Sequence, residues 1–296
     1  MTDIAITASQ ISQKTRGLVL AFMGVLIFSG SLPATRVAVA AFDPFFVTAA
    51  RAVVAALIGW ACLAVLHASK PARADILPLI GVMAGVVVGF PLLTGLALTS
   101  VSSSHSTVFI GLLPLSTAIF GLLRGGERPK TRFWFFAMAG SLLTAGYAVS
   151  TSGFSLSKPD LMLLAAIVVC GYGYAEGARL TRRLGGWQVI SWALIAGLPI
   201  MLPVAVATAP ASLATIPASA WIGLSYVSLF SMFIGFVVWY AGLAEGGTAS
   251  AGQLQLLQPF LCFVWAAIFL GESITWQMLA ATAGILALVT AARRSA

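Results

Sequence analysis

Few residues in this chain can do chemistry, and most of them stand alone inside long apolar runs. Arg36, Arg51, Glu176 and Arg179 are charges placed within such runs, and a charge in a hydrocarbon setting is costly and a functional candidate for that reason. Glu176 and Arg179 are three apart, share one helix face and can pair. The pair reads as a structural or gate-closing link; the other reading, a proton carrier, is weakened by the partner that keeps the carboxylate charged. Arg51 reads either as an anchor, bonded to loop carbonyls or to Asp43, or as the bidentate partner of a substrate carboxylate. His105, in the run SSSHS, shares a face with Phe109 and Leu112, so it is either a packing histidine or a hydrogen-bonding group that lines a cavity. Gln255 and Gln258 are three apart and share a face, with Gln253 close by. They serve either as glue between helices, worth about 0.6 kcal/mol per contact, or as cavity polar groups. Tyr226, Phe233 and Tyr240 recur every seven residues, with Phe230 between them. Tyr172 shares a face with Glu176, and Phe90 precedes Pro91. Each of these aromatics can pack or can bind. Pro114 and Pro259 each remove an N–H and free the carbonyl four residues earlier, at Ile110 and Gln255, which gives a kink or a hinge.

Other chemistries find no support. Cys62, Cys170 and Cys262 lie in apolar runs, where cysteine behaves as a small hydrophobe. The two histidines, His67 and His105, stand far from any metal-ligand spacing. FSGS at 28–31 is not the nucleophile motif of an intramembrane serine protease, and no embedded aspartate pair suits an aspartyl protease. No ring of charges or filter-like loop marks a channel. No cofactor motif and no obligate protein partner can be read from the chain. The expected partners are a small-molecule substrate and the lipid bilayer.

The elements that must carry these residues follow from composition. Of 296 residues 60% are hydrophobic and 8% charged, and the mean hydropathy is +1.02. Soluble domains carry about 25% charged residues, so this chain cannot clothe a water-facing surface. Apolar segments at 17–40, 44–67, 76–98, 102–124, 132–151, 159–182, 187–208, 218–243, 248–270 and 275–293 are predicted as ten membrane helices. They exceed the roughly 9–11 residues of a membrane strand, and a helix satisfies its own backbone in lipid. The first run is too long for the core of a cleavable signal peptide. Trp134 and Trp187, at segment starts, read as interface anchors.

The net charge of +8 has a topological cause. Lys14, Arg16, Lys70, Arg73, Arg124, Arg128, Lys130, Arg132, Arg179, Arg182, Arg183, Arg293 and Arg294 all fall at one set of helix ends. Lys158 alone marks the other side. This asymmetry predicts that both termini are cytoplasmic. It also accounts for the basicity without nucleic acid, for which no basic face is present.

The chain reads as a duplication. Pro114 and Pro259 differ by 145 positions, and Gly126-Glu127 differs from Gly271-Glu272 by the same number. Residues 1–16 read as a cytoplasmic tail, 17–151 as a first five-helix repeat and 159–293 as a second. Five is odd, so the repeats enter the membrane with opposite orientation, a recurrent transporter device with the site between the halves.

The stretch FSGSLPATRVAVAAFDPFFVTAARAVVAAL resembles the first hairpin of the drug/metabolite transporter superfamily, EamA type. It has a Gly-Ser-rich first helix, the Asp43-Pro44 turn and Arg51 beyond it. The Pro-to-Gly-Glu segments at 114–127 and 259–272 resemble that family's paired signature. The likeness runs from about 17 to 293 and is greatest to bacterial exporters of aromatic and other amino acids. It implies an all-α protein of the inner membrane and alternating access through a central cavity. The cavity would be lined by Phe90, His105, Phe109, Tyr172, Phe233, Tyr240, Gln255 and Gln258, hinged at Pro114 and Pro259, with Arg51, Glu176 and Arg179 as structural or gating charges. Related small multidrug exporters carry a glutamate in their first helix; 17–40 here has no carboxylate.

Overall fold

The computed structural model of the chain describes residues 2–125, 131–152, 157–246 and 254–294, and these are helical with no strand among them. Seven helices are long and apolar enough to cross a membrane: α1 (Thr15–Val39), α2 (Pro44–Val65), α3 (Arg73–Leu98), α4 (Ser103–Leu123), α6 (Lys158–Leu184), α7 (Gly186–Ala207) and α8 (Ala218–Gly242). Between and after them stand α5 (Thr131–Ser152), α9 (Gln255–Leu270) and α10 (Trp276–Arg294). At 1.5 Å per residue, a helix of 21 to 27 residues spans about 30–40 Å, enough to cross the roughly 30 Å hydrocarbon core of a bilayer. Helix continues N-terminally from α1 back to Thr2, where a tail was expected. The expected Gly126-Glu127 and Gln253 lie outside the described residues.

Local chemistry sets the helix ends. Asp43 begins α2 by accepting the Phe45 N–H at 2.7 Å, with Pro44 in the first turn where its missing N–H costs nothing. Ser157 and Asp160 begin α6 with a reciprocal capping box. Gly271, at φ 62°, closes α9 in the left-handed conformation that a side chain resists.

Several helices are interrupted. α1 breaks at Gly30, because Pro33 has no N–H to give the Ser29 carbonyl. α4 breaks at Gly111–Leu112 and resumes as Leu113–Gly125; α9 opens with a 3₁₀ turn at Gln255–Leu257 and continues as Gln258–Leu270. Both ends of those two continuing helices are offset by 145 residues. Pro114 and Pro259 occupy the second position of each, so each proline breaks its helix as expected. α3 and α8 contain π-helical stretches, Met83–Gly89 and Tyr226–Ile234. The same offset carries the first onto the end of the second.

Packing follows the same rule. α1 packs on α8 as α6 packs on α3; α4 on α6 as α9 on α1; α2 on α8 as α7 on α3. The pairs α2–α7, α4–α9 and α5–α10 map onto themselves when each helix is replaced by the one five places away. Backbones meet closely at small residues. A Cβ on Gly85 would stand 2.3 Å from the Val169 carbonyl, and one on Gly242 2.4 Å from the Ala21 nitrogen. Outward faces are apolar: Trp60, Leu77, Phe135, Met138, Phe269 and Trp276 are all exposed, as a bilayer requires.

Candidate functional site

The break in α1 faces the π-helical stretch of α8. The Ser29 hydroxyl donates to the Leu26 carbonyl at 2.7 Å, and the Tyr226 hydroxyl donates to that of Ile27 at 2.7 Å. Side chains thus supplement or replace backbone donors at the interruption; the Ile27 carbonyl also accepts the Gly30 N–H at 3.3 Å. The Trp265 indole N–H of α9 donates to Ser29 Oγ at 2.8 Å. Beyond the break, the Ser31 hydroxyl donates to Ser231 Oγ at 2.7 Å, and Arg51 donates to the same oxygen through Nη2 at 3.1 Å. Arg51 is 5% exposed. Ion pairs among the described residues include Arg16–Glu245, His105–Asp160, Arg179–Glu176 and Arg183–Asp75; Arg51 is in none of these. Its Nε has no hydrogen-bond partner among the described residues. The expected tie from Arg51 to Asp43 is not made, because Asp43 is engaged in capping α2.

The matching position in the other half is built differently. Glu176 stands 145 residues after Ser31, and Ala196 the same distance after Arg51. Here α3 and α6 are pressed together at Gly85 and Gly173, whose α-carbon lies 3.0 Å from a Cβ placed on Gly85. Glu176 is buried and lies 2.9 Å from the Arg179 guanidinium, whose side chain is half exposed. This is the intrahelical pair that the spacing predicts.

Besides the contacts around the α1 break, two further sets of polar contacts among the described residues tie α1–α5 to α6–α10, one at each end of the bundle. At the end holding the α4 N-terminus, Glu272 accepts the N–H and O–H of Ser103 at 3.0 Å each on Oε1. On Oε2 it accepts those of Ser104 at 2.7 and 2.6 Å. One carboxylate thereby satisfies two of the four unpaired N–H groups that open a helix, where negative charge is favoured. Beside it, His105 Nε2 lies 2.7 Å from Asp160 Oδ1, and the Tyr147 hydroxyl lies 3.4 Å from Nδ1. Asp160 also accepts the Ser157 N–H and O–H at 3.0 and 2.7 Å. At the opposite end, Arg16 meets Glu245 at 3.5 Å, and Arg183 pairs with Asp75.

The predicted residues are thus distributed over several places. His105 faces Asp160 and Tyr147, with the Phe109 ring 5.5 Å away. Phe109 is fully buried in one apolar cluster, and Phe90 flanks that cluster. Phe233 and Tyr240 belong to a second, with the Tyr240 hydroxyl against Gly177, next to Glu176. Tyr172 meets the Phe120 ring edge-on at 5.6 Å and lies over Gly81. Gln255 and Gln258 are buried where α9 begins; Gln255 Nε2 and Gln258 Oε1 have no hydrogen-bond partner among the described residues. A recess of about 900 Å³ lies elsewhere, between α5, α9 and α10, lined by Arg132, Phe135, Phe260 and Ala287 among others. It contains none of these residues and opens on the exterior of the bundle.

Ser31, Ser231, Trp265, Asp160 and the grip of Glu272 do not stand out in the sequence. The Ser157–Asp160 spacing is a visible capping signal, and Glu272 stands out only as half of a repeated motif. Nothing in the spacing of Ser231 announces Arg51, 180 residues away.

A model of the EamA-like transporter family matches residues 15–149 and again 157–292. The uncharacterized transporter YdeK of Bacillus subtilis is 54% identical over 285 residues, 96% of this chain and 99% of that protein. A probable terminal-alkyne amino-acid exporter of Streptantibioticus cattleyicolor is 26% identical over 253 residues, covering 84% and 83% of the two chains. A solved crystal structure at 18% identity superposes with a TM-score of 0.65 over 95% of this chain and 99% of its own, a likeness of fold.

Proposed function

The chain belongs to the EamA-like transporter family, multi-pass membrane proteins of the drug/metabolite transporter group, and on that premise we propose that it exports neutral amino acids, aromatic ones included, by alternating access. The observation that carries this reading is the paired interruption of helices at equivalent positions. The breaks before Pro114 and Pro259, and the π-helical stretches of α3 and α8, recur at one offset in two sets of five helices. Packing partners exchange under the same replacement. Inverted repeats with broken helices at their interface are the recurrent construction of secondary transporters. In this reading all ten helices cross a bacterial inner membrane, 17–151 and 159–293 are the repeats, and both termini are cytoplasmic. The Glu272 and His105 contacts then close the outer face, and Arg16–Glu245 and Asp75–Arg183 close the inner.

The substrate class is supported by the interior. Aromatic and aliphatic side chains dominate it, and cationic groups are too sparse for phosphorylated compounds, which need clustered Arg or Lys. The amino-acid exporter among the relatives points the same way. A broad exporter of other small metabolites is the second reading, favoured by the apolar character of the two clusters.

Proteoliposomes test this. Counterflow of labelled phenylalanine, accelerated by unlabelled amino acid on the opposite side, is expected with half-saturation near the millimolar range, about −4 kcal/mol of binding. Robust nucleotide-sugar flux without amino-acid flux, or conduction without exchange, would overturn the reading.

A further inference from the structure

We propose that Arg51, with Ser31 and Ser231, forms a binding site for a carboxylate group, so that the transported molecule enters with its carboxylate on this guanidinium. The inference rests on the transporter reading and names the anionic end of the cargo.

Hydrogen bonding is the first support. A guanidinium offers five N–H donors in a planar fork and accepts nothing. One of them is engaged, by Ser231, and Nε is without a partner among the described residues. Ser231 Oγ already accepts from both Ser31 and Arg51, so it cannot take the remaining donors. An isolated buried charge is strongly unfavourable, and proteins place one only with a counter-charge, which Arg51 lacks among the described residues. A carboxylate fits the fork through two parallel hydrogen bonds.

Position is the second support. Arg51 lies seven residues beyond Pro44, about 10 Å along α2. It meets α8 within the π-helical stretch at Ser231, which also accepts from Ser31 just after the Gly30 break in α1, so two distorted helices and one cation converge on one hydroxyl. Irregular backbone at membrane depth is tolerated where it lines a site. Around the same break stand Tyr226 and Trp265, aromatic surfaces for the remainder of the molecule. The other repeat offers no second carboxylate site, because Ala196 and Glu176 replace Arg51 and Ser31 there. The molecule therefore binds in one sense only.

The test uses the purified full-length chain in detergent and four probes: L-phenylalanine, 3-phenylpropionate, L-phenylalaninamide and phenethylamine. Thermal stability and tryptophan fluorescence report binding. The two carboxylates are expected to bind and the two probes without one to fail. Arg51→Met is expected to abolish the response and Arg51→Lys, which keeps the charge without the fork, to weaken it about ten-fold. Ser231→Ala, a milder change that preserves Arg51, is expected to weaken it several-fold. Binding of 3-phenylpropionate without phenylalanine would sustain the carboxylate site and sink the amino-acid reading. Equal binding of the amide or the amine, undiminished carboxylate binding in Arg51→Lys and Ser231→Ala, or no binding by either carboxylate would overturn the proposal.

Discussion

At the scale of single residues, the ionised groups divide by what they hold. Glu272 is a capping residue supplied from a distant segment, and its four acceptor contacts anchor the first turn of α4. Glu272→Ala leaves the Ser103 and Ser104 N–H groups without that acceptor. It is expected to cost about 2 kcal/mol, the worth of a hydrogen bond to a charged group, read as a lowered unfolding temperature in detergent. Glu272→Gln, which can keep one acceptor, should recover part of the loss. Glu176 is bonded within its own helix to Arg179. Glu176→Gln is therefore expected to leave downhill flux largely intact, and complete loss of flux in a well-folded variant would contradict the structural role. What the sequence makes legible at this scale is the local: Glu176 with Arg179 and His105 with Phe109, whereas Asp43, read as a partner for Arg51, caps α2 instead. Arg51 with Ser231 and His105 with Asp160 are contacts over 180 and 55 residues, which no spacing rule reaches.

At the scale of elements, apolar length and proline position predict where helices run and where α4 and α9 break. The π-helical stretches of α3 and α8 carry no such mark, since a π turn is a response to packing as much as to local composition. Nor does composition tell which glycines are contacts. Gly85 and Gly242 sit where a side chain would strike backbone of the facing helix, and Gly95 does not: its nearest neighbour would be 3.6 Å from an added Cβ. Gly85→Ala and Gly242→Ala are each expected to destabilise by about 1–3 kcal/mol through overpacking, and Gly95→Ala to be neutral. Thermal unfolding of the three variants side by side measures this. Equal behaviour of all three would mean that the α3–α6 and α1–α8 contacts are looser than the structure shows.

At the scale of the whole molecule, topology and motion can be tested together. A cysteine at Ser102 is expected to react with an external reagent, and one at Lys130 only after access from inside; the reverse pattern would invert the orientation. A disulfide between cysteines at Arg16 and Glu245, or between Ser103 and Glu272, should arrest exchange, with activity returning on reduction. If either cross-linked form transports freely, the contacts at that end are not a gate. The unequal repeats carry one further consequence. Arg51 and Ser31 have no counterpart in the second half, where Ala196 and Glu176 stand, so the two faces of the resting carrier are not interchangeable. The half-saturation concentration measured from one side should differ from that measured on the other. For an uncoupled carrier at equilibrium, the maximal rates must then differ in the same proportion, so that no net work is done without a gradient. Under the alternating-access reading, unlike halves make transport kinetically unequal from the two sides and leave its equilibrium unchanged.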